Sequence, residues 1–284
     1  MRGIVVIDKP PAWTSHDVVA VLRKRLNTRR IGHAGTLDPI ATGVLVVAVG
    51  YATRFLQYLP TEPKVYEVTI KFGATTKTYD REAEPEDSKE VPANLEEEIC
   101  RCLPEFVGDI HQLPPIYSAV KKDGVPLYKY ARQGEEVERH PRPVTIHEII
   151  LSRVTEDTAE LKITCSGGTY VRSLAHDLGQ MVGCGAYVQD LRRTGVGIFG
   201  LEGAVHPQEA TGDDLRSLKD SFTNDEIIEV SDEDAQILRN GQSIKLPNGS
   251  PEGDVLIVSA SQGEIAMALS QGGKAKPLCV IPSS

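Results

Sequence analysis

Residues 43–50 read Gly-Val-Leu-Val-Val-Ala-Val-Gly, six consecutive apolar side chains between two glycines. A strand with one wet face alternates polar with apolar residues, so an unbroken apolar run points to a central strand. A second such run, Gly3 to Ile7, ends at Asp8-Lys9-Pro10-Pro11, where proline removes a donor and fixes φ. Lys64 to Phe72 alternates instead, with Tyr66, Val68, Ile70 and Phe72 on one face. These three segments commit the N-terminal part to a sheet.

Helical patterns separate the strands. Ser15 is placed to cap a helix through about Asn27, with Val18, Val19, Leu22 and Leu26 as its apolar stripe. Ala93 to Leu103 and Leu127 to Gln133 read as further helices, and Val171, Leu174, Ala175, Leu178 and Val182 form another stripe. Glu160 to Cys165 and Val188 to Phe199 read as extended. After about residue 228 the pattern shifts to short strands around 243–246, 254–260, 264–269 and 278–281, with Gly-containing turns between them. The expected architecture is an α+β domain over residues 1–228, built on a mixed, largely antiparallel sheet. A small all-β module over 229–284 follows it.

Composition narrows the function classes. The net charge of −9 argues against nucleic acid only until it is divided along the chain. Counting Lys and Arg against Asp and Glu, residues 1–80 carry +5, 81–110 carry −7, 111–200 carry +1 and 201–284 carry −8. A basic segment in an acidic protein still attracts phosphates, because potential is local at the scale of a Debye length. The five cysteines are odd in number and form no CxxC pair, which argues against a disulfide framework or a zinc site. No P-loop, dinucleotide fingerprint or metal-spaced cluster occurs, so neither a cofactor nor a metal is expected. Met1 opens no basic-then-apolar leader, and no apolar run reaches the roughly 18 residues of a membrane span; a cytoplasmic protein is expected.

The segment Gly32-His33-Ala34-Gly35-Thr36-Leu37-Asp38-Pro39 sets an aspartate in a glycine-containing loop ahead of the central strand. Glycines there permit a tight backbone and close approach of a ligand. A carboxylate on such a loop suits nucleophilic or general-base work, although Asp-Pro also simply starts turns. By pattern alone, Tyr66 reads as a plain core residue of its strand and Arg172 as an ordinary surface arginine.

GHAGTLDPIATGVL, residues 32–45, resembles the signature of the bacterial tRNA pseudouridine synthases that act on uridine 55 of the T-loop, the TruB family of pseudouridine synthases. The resemblance continues in order through IDKP (7–10), KVYEV (64–68), GATTKTYD (73–80), PPIYSAVK (114–121), LYKYARQG (127–134), GTYVRS (168–173) and LRR (191–193). It implies a catalytic domain of that fold with a PUA-like RNA-binding module behind it, Asn240-Gly241-Gln242-Ser243-Ile244 being similar to the opening of such a module.

It also implies roles. Asp38 resembles the essential aspartate, Tyr66 the aromatic residue that stacks on the uracil and is proposed to take the C5 proton, and Arg172 the arginine paired with the aspartate. Leu191 resembles an apolar wall of the base pocket, and His33 the histidine that fills the space of the extruded nucleotide. Lys9, Asp80 and Tyr170 look like supporting residues of the pocket. Lys77 stands where many relatives carry an acidic residue. The implied partner is the tRNA T-arm, acted on by a monomer without cofactor.

The chemistry such a family performs fits these residue types. A stacked uridine must be flipped out at a cost of a few kcal/mol, and stacking on an aromatic ring offsets roughly 1–3 kcal/mol of that. An arginine beside an aspartate favours its ionised form and fixes its direction. Attack at C1′, attack at C6 and elimination to a glycal all remain open. Two other readings share the motifs: a tRNA-folding chaperone that binds without catalysis, and the catalytic subunit of a guide-RNA-dependent pseudouridylation particle.

Overall fold

The computed structural model of the chain describes residues 1–135 and 137–281. A nine-stranded sheet runs through β1 (Gly3–Lys9), β2 (Ile31–Ala34), β3 (Thr42–Val49) and β4 (Lys64–Phe72). Short ribbons β5 (Thr75–Thr76) with β6 (Pro85–Glu86), and β8 (Lys121–Lys122) with β9 (Val125–Pro126), flank β7 (Gly108–Gln112). The sheet is completed by β10 (Arg142–Val154), β11 (Thr158–Cys165), β12 (Ala186–Val196) and β13 (Phe199–Gly200). Its main order is β1-β3-β12-β4-β11-β10-β7, with β2 on β3 and β13 on β12. Among the described residues only the β3–β12 strand pair of this sheet is parallel, so the sheet is mixed and largely antiparallel, as expected. At that pair Gly43 lies opposite Arg193 with φ +98°, and a Cβ there would stand 2.1 Å from the Arg193 carbonyl oxygen. Only glycine admits so close a backbone.

The apolar run of β3 is explained by its two covered faces. Leu45, Val47 and Val49 join Val5, Ile7 and the stripes of α1 (Ser15–Arg25), α2 (Leu95–Cys102) and α4 (Val171–Val182) in one core. Val44, Val46 and Ala48 join Ile4, Val6, Phe55 and Phe199 in a second. A short helix, α3 (Leu127–Gln133), lies outside both.

The second core also contains Leu256, Val258, Met267 and Cys279 of the C-terminal module. That module is a five-stranded sheet of β14 (Ile227–Val230), β15 (Ile244–Lys245), β16 (Gly253–Ser259), β17 (Gly263–Gln271) and β18 (Lys274–Val280), ordered β14-β16-β17-β18-β15. The expected all-β module carries one helix, α5 (Asp232–Arg239), capped by the Ser231 side chain. Of residues 229–284, the last three lie outside the described residues.

Two local expectations change. Thr14, not Ser15, caps α1: its hydroxyl accepts from Asp17 N–H while the Asp17 carboxylate accepts from Thr14 N–H. This reciprocal box leaves Ser15 free to turn inward. The thirteen-residue β10 was not expected at all, because bulges between Ile146 and Glu148 and between Leu151 and Arg153 shift its phase and hide its alternation.

Candidate active site

The loop that carries Asp38 is held along its length. Upstream, Arg193 donates from Nη2 to the Gly35 carbonyl at 3.1 Å, and past the loop, in β3, from Nε to the Val44 carbonyl at 2.8 Å. In the middle, the buried Ser15 hydroxyl accepts from Leu37 N–H at 2.9 Å and donates to the Leu37 carbonyl at 3.2 Å. Downstream, the Pro39 carbonyl accepts from Ala12 N–H at 2.9 Å and from Lys9 Nζ at 3.2 Å. Lys9 Nζ also donates to the Pro10 and Trp13 carbonyls. Lys9 is fully buried, and burial pushes its ammonium down to about 8 against the opposing charges of Asp38 and Glu82. A carboxylate on a loop fixed at this many points is pre-organised.

Opposite the loop stands Arg172, the second residue of α4. Its Nε lies 2.9 Å from Asp38 Oδ2, and its Nη1 lies 3.3 Å from Asp80 Oδ2. Its remaining donors go to the carbonyls of Thr78 at 2.8 Å and Tyr117 at 3.0 Å. The Nε–H is not aligned on Asp38, so that contact is coulombic rather than a well-directed hydrogen bond. The Arg172 side chain is 4% exposed and that of Asp38 34% exposed. A buried guanidinium thus presents one carboxylate outward.

A cavity of about 240 Å³ opens at this pair. Tyr66, Leu191, Tyr170, Lys64 and Arg193 wall it together with Asp38 and Arg172. Burial pushes the phenols of Tyr66 and Tyr170 up. The Tyr170 backbone is clamped by the Gln112 amide, which accepts from its N–H at 2.7 Å and donates to its carbonyl at 3.0 Å. A larger depression of about 590 Å³ adjoins across Leu191, walled by Glu67, Arg81, Lys162, Asp190 and Arg192. It contains neither Asp38 nor Tyr66, and Arg81 and Arg192 are paired with Asp190 and Asp8.

The structure thus brings together five of the eight residues singled out from the sequence: Asp38, Tyr66, Arg172, Tyr170 and Leu191. Asp80 sits one layer behind, almost wholly buried, where it accepts from the Thr78 hydroxyl at 2.6 Å and from Arg172. Lys9 holds backbone rather than lining the cavity. His33 is on β2, outside the cavity wall, and burial followed by the charge of Arg193 pushes its imidazole down, so it is neutral near pH 7. Lys77 is exposed and pairs with Glu86 at 3.0 Å. Lys64 and Arg193 also line the cavity, beyond the residues that the motifs single out. Strand alternation carries the signal for both, since Lys64 is two residues from Tyr66 and Arg193 two from Leu191.

Among the described residues no cluster of His, Cys, Asp or Glu could hold a metal ion. What the cavity offers is one oriented carboxylate, aromatic and aliphatic walls, and buried cations.

Comparison with known proteins adds to this geometry. A family model described as the N-terminal domain of TruB family pseudouridylate synthase matches residues 23–171, and one for the tRNA pseudouridylate synthase B C-terminal domain matches residues 172–227. The chain is similar to tRNA pseudouridine synthase B of Pseudomonas fluorescens, at 41% identity over 100% of this chain and 96% of that protein. It is 49% identical to the protein of that name from Opitutus terrae, over 72% of this chain and 85% of that one. Among solved structures, a chain of a Cbf5-Nop10-Gar1 complex matches with TM-score 0.73 at 25% identity, covering 99% of this chain and 84% of that one. A chain of an H/ACA RNP bound to a substrate RNA containing 2′-deoxyuridine matches with TM-score 0.75 at 23% identity, covering 99% and 86%, which speaks to the fold alone.

Proposed function

The chain belongs to the TruB family of pseudouridylate synthases, and on that premise we propose that the cavity at Asp38 converts a flipped uridine of the tRNA T-loop, position 55, into pseudouridine. The observation that carries this reading is the Arg172–Asp38 pair, 2.9 Å apart, at the mouth of a cavity walled by Tyr66 and Leu191. The reaction breaks C1′–N1, turns the uracil and joins C5 to C1′; C5 then loses its proton and N1 gains one. Asp38 is the catalytic carboxylate, directed by Arg172, which Asp80 in turn holds. Tyr66 stacks on the base and takes the C5 proton, with Leu191 and Tyr170 as the other walls. Lys9 and His33 act from behind, the first by fixing the Asp38 loop and the second by filling the place that the base vacates.

Residues 1–228 form the catalytic domain and 229–284 the PUA-like module. Its acidic surface limits it to a small share of phosphate binding. The enzyme works as a monomer on the T-arm, in the cytoplasm, where its five unpaired cysteines remain reduced. Near full-length identity to tRNA enzymes favours this over the guide-dependent particle, whose chains are far less similar.

Pseudouridine mapping of tRNA incubated with wild type and with Asp38→Asn tests the assignment. Loss of pseudouridine by at least about 10⁴-fold with retained tRNA binding is expected. Undiminished isomerisation removes Asp38 from the mechanism, and a strict need for guide RNA on a bare T-arm stem-loop removes the proposed substrate.

A further inference from the structure

Arg193 is a large cation in the cavity wall whose bonds hold the Asp38 loop but whose charge has no role in the reaction. It is 1% exposed, and none of the ion pairs among the described residues includes it. Its Nε, Nη2 and Nη1 donate to the carbonyls of Val44, Gly35 and, at 3.5 Å, Thr36, which satisfies hydrogen bonds but leaves the full charge uncompensated. A buried charge without a counter-ion is costly unless something nearby uses it.

The register of β4 and β12 sets Arg193 directly opposite Tyr66, and both line the same cavity. Directly opposed residues of an antiparallel pair have neighbouring side chains on one face. Among the described residues, the charged or titratable groups acting on the Tyr66 phenol include Arg193 from β12, Cys165 from β11 and Asp38 from its loop, with Lys64 and Arg172 elsewhere in the cavity wall. Burial, Cys165 and Asp38 oppose the phenolate, whereas the Arg193 guanidinium, paired across the strands with Tyr66, favours it.

We propose that Arg193 is the positioning residue of Tyr66, holding the phenol oxygen as an acceptor and stabilising the phenolate that removes the C5 proton. This rests on the reading of Tyr66 as the base. Once C5 is joined to C1′, the ring holds a C6=N1 double bond and C5 still bears its hydrogen. The phenolate oxygen takes that proton, and the C5–H pair becomes the C5=C6 bond. The C6=N1 pair moves onto N1, which takes a proton from solvent, and the Tyr66 phenol returns its own to solvent.

The test places 2,3-difluorotyrosine, a more acidic phenol, at position 66 with Arg193 and with Arg193→Met. Single-turnover rates are read against pH on tRNA carrying uridine or [5-²H]uridine at the target. Arg193→Met is expected to lower kcat by about 10²-fold with KM nearly unchanged, and to increase the C5 isotope effect. Its pH profile moves to higher pH, and difluorotyrosine recovers at least about tenfold, more than it gains beside Arg193. A loss that difluorotyrosine does not recover makes Arg193 a holder of the Asp38 loop only and overturns the proposal, as does an unchanged rate. Should Arg193→Met not fold, Arg193→Gln is followed by ¹³Cζ-tyrosine NMR. The Tyr66 titration should move upward, and an unmoved titration is equally fatal. Tyr66→Phe separates the two levels: if C5 proton removal survives in it, Tyr66 is not the base, whatever Arg193 does.

Discussion

Arg172 and Arg193 line the same cavity, one from α4 and the other from β12, and their surroundings differ in one respect. Arg172 is met by two carboxylates, Asp38 at 2.9 Å and Asp80 at 3.3 Å. Arg193 is met by backbone carbonyls, with Tyr66 opposite it across the strand pair. Both bury a guanidinium, which only dense hydrogen bonding makes tolerable. The contrast divides the labour. On the Arg172 side charge is already balanced, and the arginine serves geometry, aiming one exposed carboxylate outward. On the Arg193 side the positive charge is unspent and is available to an anion that appears only during the reaction, where preorganised charge is most effective.

The most severe break of this contrast is Arg172→Leu. It leaves Asp38 and Asp80 facing each other without a cation between them. We expect kcat to fall by about 10³-fold and stability by about 3–5 kcal/mol, read by single-turnover kinetics and urea unfolding. Arg172→Lys keeps the charge but loses the fork that reaches both carboxylates and the Thr78 and Tyr117 carbonyls. A loss of about 10²-fold in kcat is expected, with less than about 2 kcal/mol in stability. Asp80→Asn makes Arg172 half-compensated and so more like Arg193. Here kcat should fall by roughly tenfold while tRNA affinity holds; a wild-type kcat would show that Asp38 alone suffices to orient Arg172.

The smallest effect concerns Lys9, which steadies the Asp38 loop from below. Burial lowers its folded value to about 8, beneath the ordinary 10.5. Between those values the unfolded chain holds a proton that the folded chain has lost, so the Lys9 contribution to stability rises with pH across the window. The unfolding free energy of wild type relative to Lys9→Met should therefore grow by roughly 1–3 kcal/mol from pH 8 to pH 10. Over the same window the amine has one donor fewer than the ammonium, and kcat should decline modestly. A difference in unfolding free energy that stays flat with pH would contradict the buried ammonium.

Much of this was legible in the residues. The run of β3 announces a strand buried on both faces, and the alternation of β4 puts Tyr66 with Val68, Ile70 and Phe72. The glycine-bearing loop marks Asp38 as a residue around which backbone can close. Less legible were features that depend on a partner far along the chain. Arg172 and Asp80 are 92 positions apart, and Arg193 is separated from the Gly35 carbonyl it holds by 158. Ser15 read as a helix cap because local pattern cannot see Leu37, and β10 was hidden because its bulges break the period by which strands are recognised.

The sequence by itself determined the periodicities, the breaks between elements and the residue types on the Asp38 loop, because these follow from local sterics and from which faces must leave water. Tertiary structure alone decided which cation is neutralised and which is not. Charge compensation depends on distances of a few ångströms between strands and loops remote in the chain, and it falls off too steeply with separation for composition to reveal it. It is also why Arg172 and Arg193, indistinguishable as letters, stand as a balanced charge and an unbalanced one in the cavity of Asp38.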